Sequence, residues 1–258
     1  LIDTHCHLYL EQFQDDRTEV LQRAVDAGVQ DILLPAITLN SLPKMDQLHH
    51  SDLSLYKMAG IHPTSINEGT STTKDELYDY CSRPEIIGVG ETGLDYHWSE
   101  EYKTEQRKSL HIHCEVAKAT GKPIVLHNRA STADLFKIID EHQDGRLKGV
   151  WHCFNGSVDE GKQALDLGLH LGIGGIFTFK NAGVDESVAQ LPIKKMMLET
   201  DAPYLAPEPK RGKRNEPSFV RFTAQRLAEV KKQELVDLVE QTSQTARRLF
   251  NLADPSEA

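Results

Sequence analysis

Histidines and carboxylates close a succession of short apolar runs in this chain. His5 and His7 follow Ile2-Asp3-Thr4, and Glu91 follows Ile86-Ile87-Gly88-Val89-Gly90. His127 follows Pro123-Ile124-Val125-Leu126, His152 follows Gly149-Val150-Trp151, and Asp201 follows Met196-Met197-Leu198-Glu199-Thr200. Imidazole nitrogen and carboxylate oxygen are donors for Zn²⁺, and carboxylates also suit Mg²⁺ and Mn²⁺. His5 and His7 are two apart, and on a strand residues i and i+2 face the same way, so both imidazoles reach one ion. A carboxylate such as Glu91 can bridge two cations about 3.5–4 Å apart. Asp201 can both ligate and accept a proton from water. Each residue alone is an ordinary strand-end side chain. The ordered set points to a binuclear metal hydrolase.

Other residues suit a phosphate. His62 in Gly60-Ile61-His62-Pro63 and Arg129, two past His127, are expected at the rim, where a guanidinium grips phosphate oxygens in pairs. The basic run Lys210-Arg211-Gly212-Lys213-Arg214 is expected to guide a polyanion. His111 and His113 share the spacing of His5 and His7, but on a helix they diverge by about 200° and cannot chelate together. Cys6 and Cys153 are expected, by strand alternation, to face the layer between barrel and helices as small apolar fillers. Glu199 is read as a salt-bridge partner deeper in the barrel. His49-His50 is read as surface, and His97 has no named partner.

The elements that must position this set alternate. Strands are predicted over 2–5, 31–35, 56–60, 86–91, 123–127, 149–152, 169–174 and 195–201, several of them near-continuous apolar runs. Between them lie helix signals. Val20, Leu21, Ala24 and Val25 form a stripe closed by Gly28, and Ser157-Val158-Asp159-Glu160 reads as a capping box. Leu135, Ile138, Ile139 and His142 make another stripe, Pro217 suits a helix first turn, and the tail from Leu235 to Phe250 predicts a final pair of helices. The fold class is α/β, a single (β/α)8 TIM barrel of the metal-dependent hydrolase type, spanning 1–258 as one domain. Strand ends of such a barrel open onto one face, where catalytic sites sit. Loops stand out at 67–74 and 203–217.

Composition narrows the class. No segment approaches the ~18 apolar residues of a membrane span, so a soluble protein with no membrane association is expected. The net charge of −10 argues against coating duplex DNA, though not against a nuclease gripping one or two phosphates. Four cysteines without a CxxC pair favour a reducing compartment, and no basic-then-apolar leader precedes the first strand.

Several segments are specific enough to name a family. Asp3-Thr4-His5-Cys6-His7, Gly60-Ile61-His62-Pro63, Gly90-Glu91-Thr92-Gly93-Leu94-Asp95-Tyr96, Leu126-His127-x-Arg129, His152-Cys153-Phe154, Glu199-Thr200-Asp201-Ala202-Pro203-Tyr204-Leu205 and Arg211-Gly212-Lys213-Arg214-Asn215-Glu216-Pro217 run the length of the chain. They resemble the TatD-type metal-dependent deoxyribonucleases of the amidohydrolase-like barrel superfamily. The resemblance implies a cytoplasmic enzyme that uses two divalent ions, Zn²⁺ or Mg²⁺/Mn²⁺, to activate a hydroxide against DNA phosphodiesters. A site at the barrel mouth of an acidic chain without a broad basic face favours single-stranded or frayed ends, and the resemblance implies 3′→5′ polarity. By position, His5, His7, Glu91 and Asp201 would hold one ion, and Glu91, His127 and His152 the second. His62 and Arg129 would meet the phosphate. Many relatives follow His-x-Arg with Asp-Ala, whereas Ala130-Ser131 stands here and removes a carboxylate beside Arg129. Two other readings stay open: a barrel hydrolase of esters or amides, such as an aminoacyl ester on tRNA, and a non-catalytic nucleic-acid-binding barrel. No obligate protein partner is evident.

Overall fold

The computed structural model describes residues 1–180 and 182–253. Eight parallel strands follow one another around a single sheet in the order β1 to β8. They are β1 (Ile2–Asp3), β2 (Asp31–Pro35), β3 (Ser54–Ala59), β4 (Ile86–Asp95), β5 (Ile124–Arg129), β6 (Gly149–Trp151), β7 (Leu169–Ile173) and β8 (Met196–Leu198). Closure comes from the segments just beyond β1 and β8. Thr4 N donates to Leu198 O at 3.0 Å, Asp201 N to His5 O at 2.8 Å and His7 N to Ala202 O at 2.8 Å. The chain is a (β/α)8 barrel.

The helices are α1 (Arg17–Asp26), α2 (Leu42–Met45), α3 (Pro63–Asn67), α4 (Lys74–Cys81), α5 (Lys103–Thr120), α6 (Thr132–His142), α7 (Val158–Asp166), α8 (Val184–Gln190), α9 (Val220–Lys231) and α10 (Leu235–Phe250). The capping box at Ser157 and Glu160 starts α7 as expected, each side chain satisfying the other's backbone amide. Apolar faces of the helices pack onto the outer strand face in one continuous core that includes Leu21, Leu34, Leu110, Leu126, Trp151 and Leu171. Among the described residues no helix is long and apolar enough to cross a membrane.

A second apolar cluster explains why the site lies at one end only. Ile2, Leu33, Met58, Val125, Val150 and Met197 fill the barrel interior, and Ala246, Leu249, Phe250 and Leu252 close it from below. Arg247 on α10 adds a bond to Asp31 at 2.6 Å from the start of β2. Side chains of this size are each worth about 1.5–3 kcal/mol on burial, so the floor is sealed mainly by packing.

Several strand ends and the tail depart from expectation. β4 continues past Glu91 to Asp95, so Glu91 lies within a strand. β1, β6 and β8 stop early, leaving His5, His7, His152 and Asp201 on the chain just past their strands. The tail forms one 16-residue helix, α10, in place of a pair. No Gly or Pro interrupts it, and Leu238, Thr242, Thr245, Ala246 and Leu249 carry one buried stripe along its length.

Candidate metal centre

Glu91 stands at the centre of the strand ends, buried, with its two oxygens facing different partners. Oε2 lies 3.1 Å from His5 Nε2 and 3.4 Å from His7 Nε2. Oε1 lies 3.0 Å from His127 Nδ1, 3.0 Å from His152 Nε2 and 3.4 Å from His62 Nε2. Asp201 closes the first group, its Oδ1 3.8 Å from His5 Nε2 and 3.6 Å from His7 Nε2. Burial opposes ionisation of Glu91, but the surrounding imidazoles outweigh it and hold the carboxyl well below its usual range. Asp201 follows the same logic: burial raises it, and the bond to His7 with the nearby His152 and His5 lowers it further.

Local backbone makes these approaches possible. Gly93 has φ +140°, and a Cβ there would lie 2.0 Å from His127 O, so only glycine lets β4 close against β5 at the histidine. At Gly172 a Cβ would meet Glu199 Oε2 at 2.2 Å, which keeps room for that carboxylate inside the barrel. Asp201 itself has φ +58°, an αL conformation that Asp tolerates better than most residues. It is pinned from behind. Asp3 accepts from Thr200 N at 2.9 Å and Thr200 Oγ1 at 2.6 Å, and Asn215 Nδ2 donates to Thr200 O at 2.7 Å.

The outer nitrogens decide which ring nitrogens are left as donors to a cation. Tyr9 Oη donates to Pro35 O at 2.9 Å, so its oxygen accepts, from Ile37 N at 3.1 Å and from His7 Nδ1 at 3.1 Å. His7 thus carries its hydrogen on Nδ1 and aims the Nε2 lone pair at Glu91 and Asp201. His127 mirrors this: Nε2 meets Asp95 Oδ2 at 3.0 Å, leaving Nδ1 to face Glu91. Burial works against a charge on His127, but the Asp95 and Glu91 carboxylates hold its pKa above the usual histidine value. His62 is the reverse case. Its Nδ1 accepts from Thr64 N at 3.2 Å, so the hydrogen sits on Nε2, facing the site as a donor.

The donor set fits divalent cations. His5 and His7 bring their Nε2 atoms within 3.2 Å of each other beside Glu91 Oε2, close enough for one cation to take both nitrogens. His5 Nδ1 is buried without a hydrogen-bond partner among the described residues. Glu91 forms one group of donor atoms with His5 and His7, and His5, His152 and Asp201 form another; His62 Nε2 also lies close to Glu91 and His127, but it carries its hydrogen there and does not ligate.

Above the cluster opens a cavity of about 540 Å³, onto which Arg129 and Trp98 also face. Arg129 has no ion pair among the described residues, and its guanidinium carbon lies 5.1 Å over the Trp98 ring. The basic run sits elsewhere. Arg214 pairs with both carboxylate oxygens of Asp16, at 2.8 and 2.7 Å, and donates to Gln12 O. Arg211 lies 4.3 Å over Phe179, Lys210 lies 5.5 Å from the Phe219 ring centre, and none of the four basic residues lines the mouth cavity. Cys6 is fully buried, as alternation required. Cys153 departs from that expectation: at φ +50° the alternation breaks, and its side chain lines the cavity.

Three further histidines are occupied away from the cluster. His113 is buried against Ile61 and Ser109, and His111 bonds His142 at 2.8 Å. Glu199 lies 3.3 Å from His152 Nδ1 without a hydrogen bond's alignment, and it accepts from Cys153 N. Tyr9 and Asp95 are the contributors that residue-type reading missed. Tyr9 lies in the turn after β1 and Asp95 at the end of β4 opposite His127, so spacing along the chain marks neither.

Comparison with known proteins agrees with this architecture. A family model described as "TatD related DNase" matches residues 2–251. The uncharacterized metal-dependent hydrolase YabD of Bacillus subtilis is 34% identical over 254 residues, covering 98% of this chain and 99% of its own. A protein of Shigella flexneri named 3′-5′ ssDNA/RNA exonuclease TatD is 28% identical over 259 residues, covering 98% and 100%. The crystal structure of YJJV, a TatD homolog from Escherichia coli, superposes with a TM-score of 0.90 at 28% identity, over 98% of each chain.

Proposed function

The chain belongs to the TatD-related DNase family of metal-dependent hydrolases, and from that premise we propose that it hydrolyses DNA phosphodiester bonds. It works as one catalytic unit over 1–258 and removes nucleotides from single-stranded ends in the 3′→5′ direction. One observation carries the reading: the two oxygens of Glu91 face two separate groups of imidazoles, the arrangement a bridging carboxylate needs. His5, His7, Glu91 and Asp201 would hold one divalent ion, and Glu91, His127 and His152 the other.

When bound, two such ions, Zn²⁺ or Mg²⁺/Mn²⁺, supply a lowered water pKa and neutralise charge on the reacting phosphate. The chain's own residues do the rest. Asp201, kept ionised beside His7, accepts the proton of the attacking water. His62 donates from Nε2 to a non-bridging phosphate oxygen, and Arg129 brings a guanidinium down from the rim. Tyr9 and Asp95 hold His7 and His127 in the tautomers that leave their inner nitrogens bare.

The confined mouth and the net charge of −10 support single-stranded ends over a duplex, and the name of the Shigella flexneri relative supports the polarity. All four cysteines are free thiols, which supports a reducing, cytoplasmic setting. End-labelled single-stranded DNA digested with Zn²⁺, Mg²⁺ or Mn²⁺ tests the proposal. Stepwise shortening from the 3′ end is expected. Rapid internal cutting of circular duplex DNA with no action on single-stranded ends would overturn it, as would release of amino acid from an aminoacyl ester with no nucleotide released from DNA.

A further inference from the structure

The rim of the cavity is aromatic where a hydrolase of small anions would need only charge. Trp98, on the loop after β4, leaves 69% of its surface exposed, and Tyr204 and Leu205, on the loop after β8, leave 47% and 38%. Large apolar side chains are seldom left so open without a purpose when they share a pocket. These three line the same cavity as Glu91 and Asp201. In a barrel of eight strands in sequential order, β4 and β8 lie on opposite sides of the mouth. The exposed rings therefore flank the cluster from two directions.

Charge is arranged on the same rings. The Arg129 guanidinium stacks over Trp98, so a cation and an open π face stand side by side. Tyr204 reaches back to His7, with ring centres 6.3 Å apart. A ligand complementary to this rim is anionic at the floor and flat and aromatic at the edge, with the two features repeated along its length. A polynucleotide strand has that chemistry.

We propose that Trp98 and Tyr204 are base-stacking platforms, taking the nucleobases on either side of a phosphate held over Glu91, with Arg129 fixing the Trp98 ring and facing the phosphate. The inference rests on the nuclease reading and deepens it by naming how a strand is held. Every base presents a π face, so such platforms grip any sequence, and bases locked in a duplex cannot reach them. The selectivity for single strands then comes from the rim, and hydrolysis comes from the floor.

The test measures binding apart from turnover. The metal-loaded protein is titrated with a fluorescein-labelled oligothymidylate whose 3′-terminal linkages are phosphorothioates, and with the same oligonucleotide carrying abasic residues at its last two positions. Stacking is worth roughly tenfold or more in affinity per base, so the abasic end should bind at least about tenfold more weakly to the wild type. Trp98→Ala should erase one base's share of that difference, and Trp98→Ala with Tyr204→Ala nearly all of it, each with little change in affinity for the abasic end. Trp151 is buried, so quenching of intrinsic tryptophan emission by the unlabelled oligothymidylate should report Trp98 and vanish in the variant. Equal affinity for both ends in a wild type that still degrades DNA would overturn the platforms and leave the nuclease standing. Failure to bind or cut any oligonucleotide would remove the nuclease reading and the platforms together.

Discussion

His127 Nε2 lies 3.0 Å from Asp95 Oδ2, while its Nδ1 lies 3.0 Å from Glu91 Oε1. Burial opposes ionisation of Asp95, but the bond to His127 outweighs it and holds the carboxyl below its ordinary range, so it stands as a charged acceptor. Asp95→Asn can still accept a hydrogen bond but no longer stabilises a basic ring behind it. Loss of such a partner typically costs about 10–100-fold in metal affinity or activity. Zn²⁺ titration of Asp95→Asn should show one of two sites weakened by that order, with the other unchanged. Two sites of wild-type affinity would contradict the role given to Asp95.

If Asp201 takes the water's proton as proposed, its loss should act on rate more than on binding. Asp201→Asn is expected to lower kcat by about 10²–10⁴ while KM for single-stranded DNA moves little. A variant with near wild-type kcat at neutral pH would assign the proton to another group.

His113 predicts a pH dependence of stability. Its Nδ1 donates to Ser109 O at 2.7 Å and its Nε2 accepts from Ile61 N at 3.1 Å, so the buried ring is satisfied only when neutral. Burial lowers its pKa from 6.5 to about 4. Above pH 6.5 the ring is neutral in both folded and unfolded chains, and its contribution is whole. Between 6.5 and 4 the unfolded chain takes up a proton that the folded chain refuses, so stability falls as pH falls, by about 3 kcal/mol at pH 4. Urea unfolding of wild type and His113→Leu across this window should show a steeper acid loss for the wild type. Parallel curves would contradict the assignment.

The basic loop divides by what its members already touch. Arg214 is committed to Asp16, whereas Lys210, Arg211 and Lys213 stand outside the cavity and can attract a polyanion only at a distance. Replacing those three by Ala should lower kcat/KM for DNA severalfold at low salt. The loss should fade at about 0.15 M, where the Debye length is about 8 Å. Arg214→Ala should leave the salt dependence alone. A salt-independent loss in the triple variant would place direct grips there.

The barrel and the inward-facing residues were legible because each rests on a local pattern. Apolar runs ending in donor residues identify parallel strands, and i, i+2 spacing brings His5 and His7 to one oxygen of Glu91. Residues that act through another side chain carry no such mark. Tyr9 and Asp95 differ from ordinary Tyr and Asp only by what stands opposite them after folding. Cys153 escaped because alternation presumes an extended backbone, which φ +50° breaks. Arg214 escaped because a run of charge does not reveal Asp16, almost two hundred residues away along the chain. The single helix α10 was hidden by the Thr residues in its buried stripe, which weaken the apolar pattern without ending the helix.

Glu91 is proposed to join two metal ions, and elemental analysis of Glu91→Ala beside a turnover assay tests that role. Wild-type protein should hold two equivalents of divalent metal. Glu91→Ala, with an unchanged circular dichroism spectrum, should hold one or fewer and release no nucleotide from single-stranded DNA. A Glu91→Ala protein with two full equivalents and wild-type turnover would contradict the bridging role of Glu91.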